Sequence, residues 1–118
     1  MSALLLLYTF SGLLLAVISI PLILRKIGPN PWYGFRVKKT LNDPAVWYPV
    51  NVYAGKRLLL VGIVSSLSAV LLFFVPGLDL NSYALAFAGI ILGGLSVTVI
   101  QSVFYLRSFP SKSAPPKE

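Results

Sequence analysis

Three long apolar segments constrain this chain more than any other feature of its sequence. They cover residues 3–24, 58–75 and 83–106. As helices they measure roughly 33, 27 and 36 Å, against about 30 Å for the hydrocarbon core of a bilayer. The chain is 57% hydrophobic and 11% charged, with a mean hydropathy of +0.84, whereas soluble domains contain about 25% charged residues. The sequence therefore predicts an all-α membrane protein with three transmembrane helices.

The basic residues predict how these spans are oriented. The loop between the first and second spans, with its edges, carries Arg25, Lys26, Arg36, Lys38, Lys39, Lys56 and Arg57. The hairpin at 76–82 carries only Asp79. By the positive-inside rule, loop 25–57 and the C-terminus are predicted to be cytoplasmic and the N-terminus to lie outside.

A single helical membrane domain is predicted over residues 1–107. The first segment is expected to remain in the mature protein, because residues 1–10 have no basic region and no small-x-small cleavage pattern precedes Arg25. Residues 108–118 are rich in Ser, Pro and Lys and have no apolar face. They are predicted to form a disordered cytoplasmic tail.

The composition argues against most catalytic and metal chemistry. The chain has no Cys and no His, and its only acidic residues are Asp43, Asp79 and Glu118. We therefore expect no cofactor, no metal site and no enzymatic activity. The net charge of +7 does not indicate nucleic-acid binding, because the basic residues adjoin helix ends, where they orient spans and attract anionic lipid.

A short interfacial helix is predicted at about residues 43–56, in the loop. Asn42 or Asp43 can cap it, with Pro44 at its first position. Pro49 predicts either a kink or a new helix start before the chain enters the second span. Three residues recur at i, i+4 and i+8 on one face of this helix: Trp47, Asn51 and Gly55.

A candidate polar cluster centres on Arg36, whose guanidinium offers five fixed donors. Gly34 suits a tight turn beside it, and Asn51, Thr40 and Asp43 supply hydrogen-bonding groups. Four aromatic side chains are expected to shield the cluster from water: Trp32, Tyr33, Phe35 and Trp47. Two interpretations remain open: Arg36 ties the loop to helix-end carbonyls or to Asp43, or it binds a ligand directly. Lys38 and Lys39 are expected to be solvated or to face lipid.

Small residues form a stripe on each of the later spans. The second span carries Gly62, Ser65, Ser66 and Ala69, and the third carries Gly89 and Gly93 near Ala86 and Ser96. Such stripes let helix backbones approach closely. They predict packing within the bundle or, alternatively, a face that docks another membrane protein.

The loop carries a specific motif as well. It reads Pro29-Asn30-x-Trp32-Tyr33-Gly34-Phe35-Arg36, followed by Thr40-Leu41-x-Asp43 and by Trp47-Tyr48-x2-Asn51-x3-Gly55-Lys56/Arg57. This pattern resembles the SdpI-like family of small bacterial membrane proteins, whose namesake confers immunity to a secreted sporulation-delaying peptide toxin. The resemblance implies a compact helical membrane domain with these functional positions between its first two helices: Asn30, Gly34, Arg36, Thr40, Trp47, Asn51 and Gly55.

The function that the resemblance implies is immunity to, or sensing of, a membrane-active peptide at the plasma membrane. The expected partners are membrane lipids and either a peptide toxin or another membrane protein. Two alternatives stay open. The chain is a non-catalytic accessory subunit of a larger membrane complex, or it binds a lipid headgroup through Arg36 without chemistry.

Overall fold

The computed structural model describes residues 1–109 of the chain. Its helices are α1 (Ser2–Ile23), α2 (Lys38–Leu41), α3 (Pro44–Phe73) and α4 (Leu80–Arg107). Helices α1, α3 and α4 are long and apolar enough to cross a membrane, and no strand occurs in the described part. The predicted all-α membrane architecture with three spans is confirmed. The predicted tail lies outside the described residues, except for Ser108 and Phe109.

Helix α3 joins the predicted interfacial helix and the predicted second span into one helix of 30 residues. It begins as expected, because the Asp43 side chain accepts a hydrogen bond from the Ala45 backbone N–H at 3.0 Å and Pro44 occupies the first turn. Its length of about 45 Å exceeds the hydrocarbon core of about 30 Å. One end of α3 therefore projects from the hydrocarbon. We assign this to the N-terminal end, because it carries the motif residues and is the more polar of the two.

No new helix starts at Pro49, because α3 runs through it. Proline removes one hydrogen bond, the one to the Ala45 carbonyl, and this bond lies close to the helix N-terminus. Val46 and Val50, on either side, are buried in a cluster with Leu106 of α4. Packing of this face outweighs the missing bond, since tertiary contacts supply most helix stability.

The three spans form an antiparallel bundle in which α3 packs against both α1 and α4. At the hairpin end, the Tyr83 hydroxyl donates to the Ala69 carbonyl at 2.8 Å. At that end Tyr8 of α1 also stacks on Phe87 of α4, with ring centroids 4.2 Å apart. The C-terminal ends of α1 and α4 and the N-terminus of α3 meet at the opposite end, which we call the loop end.

The small residues of the second span pack within the bundle, against α1. A Cβ atom on Gly62 would lie 2.5 Å from the Gly12 carbonyl oxygen, so glycine is needed for the backbones to approach this closely. One turn further, Ser66 donates to the Thr9 carbonyl at 2.8 Å. The third span differs, because a Cβ atom on Gly89 or Gly93 would meet nothing within 4 Å. The stripe of the second span is thus internal, whereas Gly89 and Gly93 are open.

Candidate functional site

The candidate site is the motif loop, residues 24–43, together with the first turns of α3. Asn51 is its central link, with 1% of its surface exposed. Its Oδ1 atom accepts a hydrogen bond from the Phe35 backbone N–H at 2.5 Å, and its Nδ2 atom donates to the Trp47 carbonyl at 3.0 Å. A longer bond of 3.5 Å reaches the Phe35 carbonyl. Phe35 lies outside any helix, so its backbone N–H and carbonyl have no partner from regular secondary structure. The Asn51 amide bonds both groups instead.

Gly34 is required next to this link. Its φ angle is +109°, a conformation that other residues rarely adopt. A Cβ atom there would also lie 2.7 Å from Asn51 Oδ1 and 3.1 Å from the Trp47 ring. Both the backbone conformation and the available space therefore restrict this position to glycine.

Trp47 and Gly55 complete the predicted stripe and contact two different parts of the chain. Trp47 is fully buried, and its Nε1 atom donates to the Ile27 carbonyl at 2.7 Å. Gly55 lies against the end of α1, where a Cβ atom would come within 3.0 Å of Ile23 Cγ1. The prediction that Trp47, Asn51 and Gly55 share one face is confirmed: together they hold the start of the loop, its middle and α1.

Asn30 organises the first turn of the motif loop. Its Oδ1 atom accepts from the backbone N–H groups of Trp32 and Tyr33 at 2.9 and 2.7 Å. Its Nδ2 atom donates to the Gly28 and Tyr33 carbonyls at 2.8 and 3.0 Å. Both the oxygen and the nitrogen of this side chain bond nearby backbone groups, as in an Asx turn.

Thr40 organises the second turn and is fully buried. Its hydroxyl accepts from the Val37 N–H at 3.0 Å, which caps α2, and lies 2.9 Å from the Phe35 carbonyl, to which it can donate. Asp43 is used as the cap of α3. Thr40 therefore bonds the backbone of its own loop, and Asp43 bonds the first turn of α3.

Arg36 lies on the surface of the loop and does not face the stripe of Trp47, Asn51 and Gly55. Its Nη1 atom donates to the Pro31 carbonyl, which closes the turn made by Asn30. It is the backbone of Gly34 and Phe35 that faces the stripe. The bond to Pro31 is a stapling contact, and it leaves the other guanidinium donors available at the surface.

The aromatic residues divide into a buried and an exposed group. Trp47 is buried as expected, and Tyr33 is partly buried, so that desolvation raises the pKa of its phenol. Trp32, in contrast, is 86% exposed. The expectation that it shields the cluster is wrong, because a ring with so much exposed surface covers little of the cluster.

A family model described as the SdpI/YfhL protein family matches residues 26–106. The chain belongs to this family. The match runs from the start of the motif loop to the last turn of α4, so it includes every candidate site residue. No curated protein and no solved structure matches the chain.

Sequence reasoning missed one link in this SdpI/YfhL protein. Lys39 was expected to be solvated or to face lipid, but its ammonium group donates to the carbonyls of Leu106, at 3.1 Å, and Phe109. A cation at a helix C-terminus stabilises the unpaired carbonyls there. No local signal identifies this role, because its partners are 67 and 70 residues away. Lys38, its neighbour, is exposed as expected.

The motif of this SdpI/YfhL protein thus has two layers. The buried layer comprises Asn51, Trp47, Gly55 and Thr40, with Gly34 packed against Asn51 and Trp47. It connects the loop to α3, and α3 to α1. The surface layer comprises Arg36 and Trp32, which present a guanidinium and an indole ring on the loop. The buried layer fixes the conformation of the motif loop, and the surface layer holds the side chains that can contact a ligand.

Proposed function

We propose that this SdpI/YfhL protein is a non-enzymatic protein of the bacterial plasma membrane that protects the cell against, or senses, a membrane-active peptide. Membership of the family supports the proposal, since its namesake confers immunity to a peptide toxin. The observation that carries it is the surface layer of the motif: Arg36 and Trp32 are exposed on a loop whose polar motif residues Asn30 and Thr40 are partly or fully buried and bonded to the backbone. Exposed Arg and Trp side chains are frequent anchors in recognition sites.

The proposed mechanism begins when the peptide, inserted in the bilayer, reaches the interface at the loop end. Arg36 binds a polar group of the peptide, such as its terminal carboxylate, because a guanidinium matches a carboxylate with paired donors. Trp32 contacts an apolar part of the peptide at the depth where indole rings are favoured. Since the loop is bonded to α3 through Asn51 and to α4 through Lys39, peptide binding is coupled to the helix bundle.

A survival assay tests the role of the surface layer. Cells that lack their own immunity and express this chain are challenged with the sporulation-delaying peptide, and survival and membrane potential are measured. We expect the wild type to protect and Arg36→Ala to lose most of the protection. The matched control is Lys38→Ala, which removes an exposed charge two residues away.

Membrane abundance of each variant is measured in the same cells, so that lost protection is separated from lost protein. Full protection by Arg36→Ala at wild-type abundance would remove this residue from the mechanism. No protection by the wild type against this or other membrane-active peptides would count against the proposed function itself.

A further inference from the structure

A groove between α3 and α4 lies outside the motif loop. It has a volume of about 380 Å³, within the range of about 300–1,000 Å³ typical of small-molecule sites. Leu60 and Val64 line it from α3, and Val97 lines it from α4. All three side chains are exposed on the membrane-facing surface, so the groove opens toward lipid.

Two glycines make this groove. Gly94 lies against Val61, where a Cβ atom would come within 3.1 Å of the valine methyl groups. Gly93, next to it, borders the open side, and a Cβ atom there would meet nothing within 4 Å. The groove therefore exists because α4 has no side-chain bulk at residues 93 and 94, near the middle of its length.

The groove is about as long as one leaflet is deep. On α4 it extends from Ile90 to Gln101, and on α3 from Ser65 to Arg57. These separations correspond to about 16 and 12 Å of helix, and half of a hydrocarbon core is about 15 Å. Val61, Val64 and Ile90 make the wall at depth mostly apolar, and Ser65, which also borders it, has no exposed surface. The dimensions of the groove fit an acyl chain that reaches from the interface to the middle of the bilayer.

The interfacial mouth of the groove is cationic and held in place. Arg57 lines it, and its guanidinium carbon lies 5.1 Å from the centroid of the Tyr53 ring. Tyr53 itself stacks on Tyr105 of α4 at 4.5 Å. Gln101 adds an amide at the same level, and the residues that line the groove include no acid. This end therefore favours an anionic group.

We propose that the groove binds one anionic phospholipid of the leaflet at the loop end, with its phosphate at Arg57 and an acyl chain packed along Gly93 and Gly94. A phosphate fits a guanidinium through paired charge-assisted hydrogen bonds. The proposal is independent of the peptide function, because it uses neither of the loop residues proposed to contact the peptide, Arg36 and Trp32.

Native mass spectrometry of the full chain tests this site, after extraction from vesicles of phosphatidylcholine and phosphatidylglycerol. The wild type is expected to retain one phosphatidylglycerol in preference to phosphatidylcholine. Arg57→Gln should lower that retention about fivefold, the factor that matches ~1 kcal/mol for one basic residue near anionic lipid. Lys56→Gln, which removes the exposed neighbouring charge, should leave it unchanged.

A second pair of variants tests the position of the acyl chain. Gly93→Leu fills the groove, whereas Gly89→Leu adds the same side chain at an equally open position that does not line it. Only Gly93→Leu should reduce lipid retention, with both variants keeping the wild-type unfolding temperature. If Gly93→Leu does not fold, the comparison of Arg57 with Lys56 decides alone.

Three results would overturn the assignment. Equal losses in Arg57→Gln and Lys56→Gln would indicate general attraction to anionic lipid. Full retention in folded Gly93→Leu would place the lipid elsewhere. Unchanged retention in all variants, combined with lost protection in Gly93→Leu, would assign the groove to the peptide instead.

Discussion

At the scale of single residues, the side-chain amide of Asn51 links the motif loop to α3. It bonds the backbone N–H of Phe35 and the carbonyl of Trp47 while almost completely buried. A buried polar group left without a partner costs about 1–3 kcal/mol. A side chain at position 51 must therefore supply one acceptor and one donor in a fixed geometry. This requirement explains why the residue is asparagine and not an apolar residue of equal size.

Asn51→Leu is expected to destabilise the protein by about 1–3 kcal/mol, because the Phe35 N–H loses its acceptor. Thermal unfolding in detergent micelles measures the effect. Asn42→Leu is the matched control, since Asn42 is exposed at the end of α2. Equal shifts in the two variants would mean that the Asn51 amide does not hold the loop.

Gly34→Ala combines backbone strain with a steric overlap. The φ angle of +109° disfavours a side chain by on the order of 1–3 kcal/mol, and the added methyl group would overlap Asn51 Oδ1. Gly77→Ala provides the comparison, because Gly77 has φ +76° but open space around it. We expect a larger loss of unfolding temperature for Gly34→Ala, and the difference between the variants measures the overlap.

These residues differ in how far the sequence predicts them. The Asp43 cap, Pro44 and the stripe of Trp47, Asn51 and Gly55 follow from local spacing, because helix geometry alone sets which residues align. The exposure of Trp32 and the orientation of Arg36 do not follow from spacing. They depend on the path of an irregular loop, which the bonds made by Asn30 and Asn51 determine.

At the scale of secondary-structure elements, α2 connects the motif loop to the C-terminal end of α4. Lys39 bonds two carbonyls there, and Phe35 and Phe109 pack against the cluster of Val46, Val50 and Leu106. The last carbonyls of a helix lack intrahelical partners. Lys39 therefore gives the Phe109 carbonyl a donor and adds a second donor to the Leu106 carbonyl, which already accepts from the Phe109 N–H.

Lys39→Met should loosen the last turn of α4 by ~0.3–1 kcal/mol, the range for a cation at a helix C-terminus. Hydrogen exchange is expected to accelerate at the backbone amides around Tyr105 and Leu106, with little change in the middle of α4. Lys38→Met serves as the control because Lys38 is exposed. Identical exchange in the two variants would exclude the Lys39 contact as a stabilising one.

At the scale of the whole molecule, charge separates the two ends of the bundle. The loop end carries Lys38, Lys39 and Arg57 together with the remaining basic residues of the loop, and Arg107 of α4 lies at the same end. The hairpin end carries Asp79, which caps α4 through the Ser82 N–H and whose pKa is lowered by the hydrogen bonds to Ser82. The positive-inside rule predicts that the loop end is cytoplasmic.

Cysteine labelling tests this orientation. Because the chain has no native Cys, each single substitution provides one labelling site. Lys38→Cys and Asn81→Cys place a thiol at an exposed position at each end. A membrane-impermeant maleimide should label Asn81→Cys in intact cells and Lys38→Cys only after permeabilisation. The reverse pattern would show that the protein inserts in the opposite direction.

The number of spans, their approximate limits and the residues of the motif follow from the sequence alone, because apolar length and helix periodicity are local properties. The fold adds three features that local spacing does not predict: α3 continues through Pro49, Lys39 reaches α4 and Gly93 borders a groove. Each of these depends on packing between distant segments. The three apolar segments thus specify a membrane bundle, and the contacts along α3 decide which surfaces remain open on it.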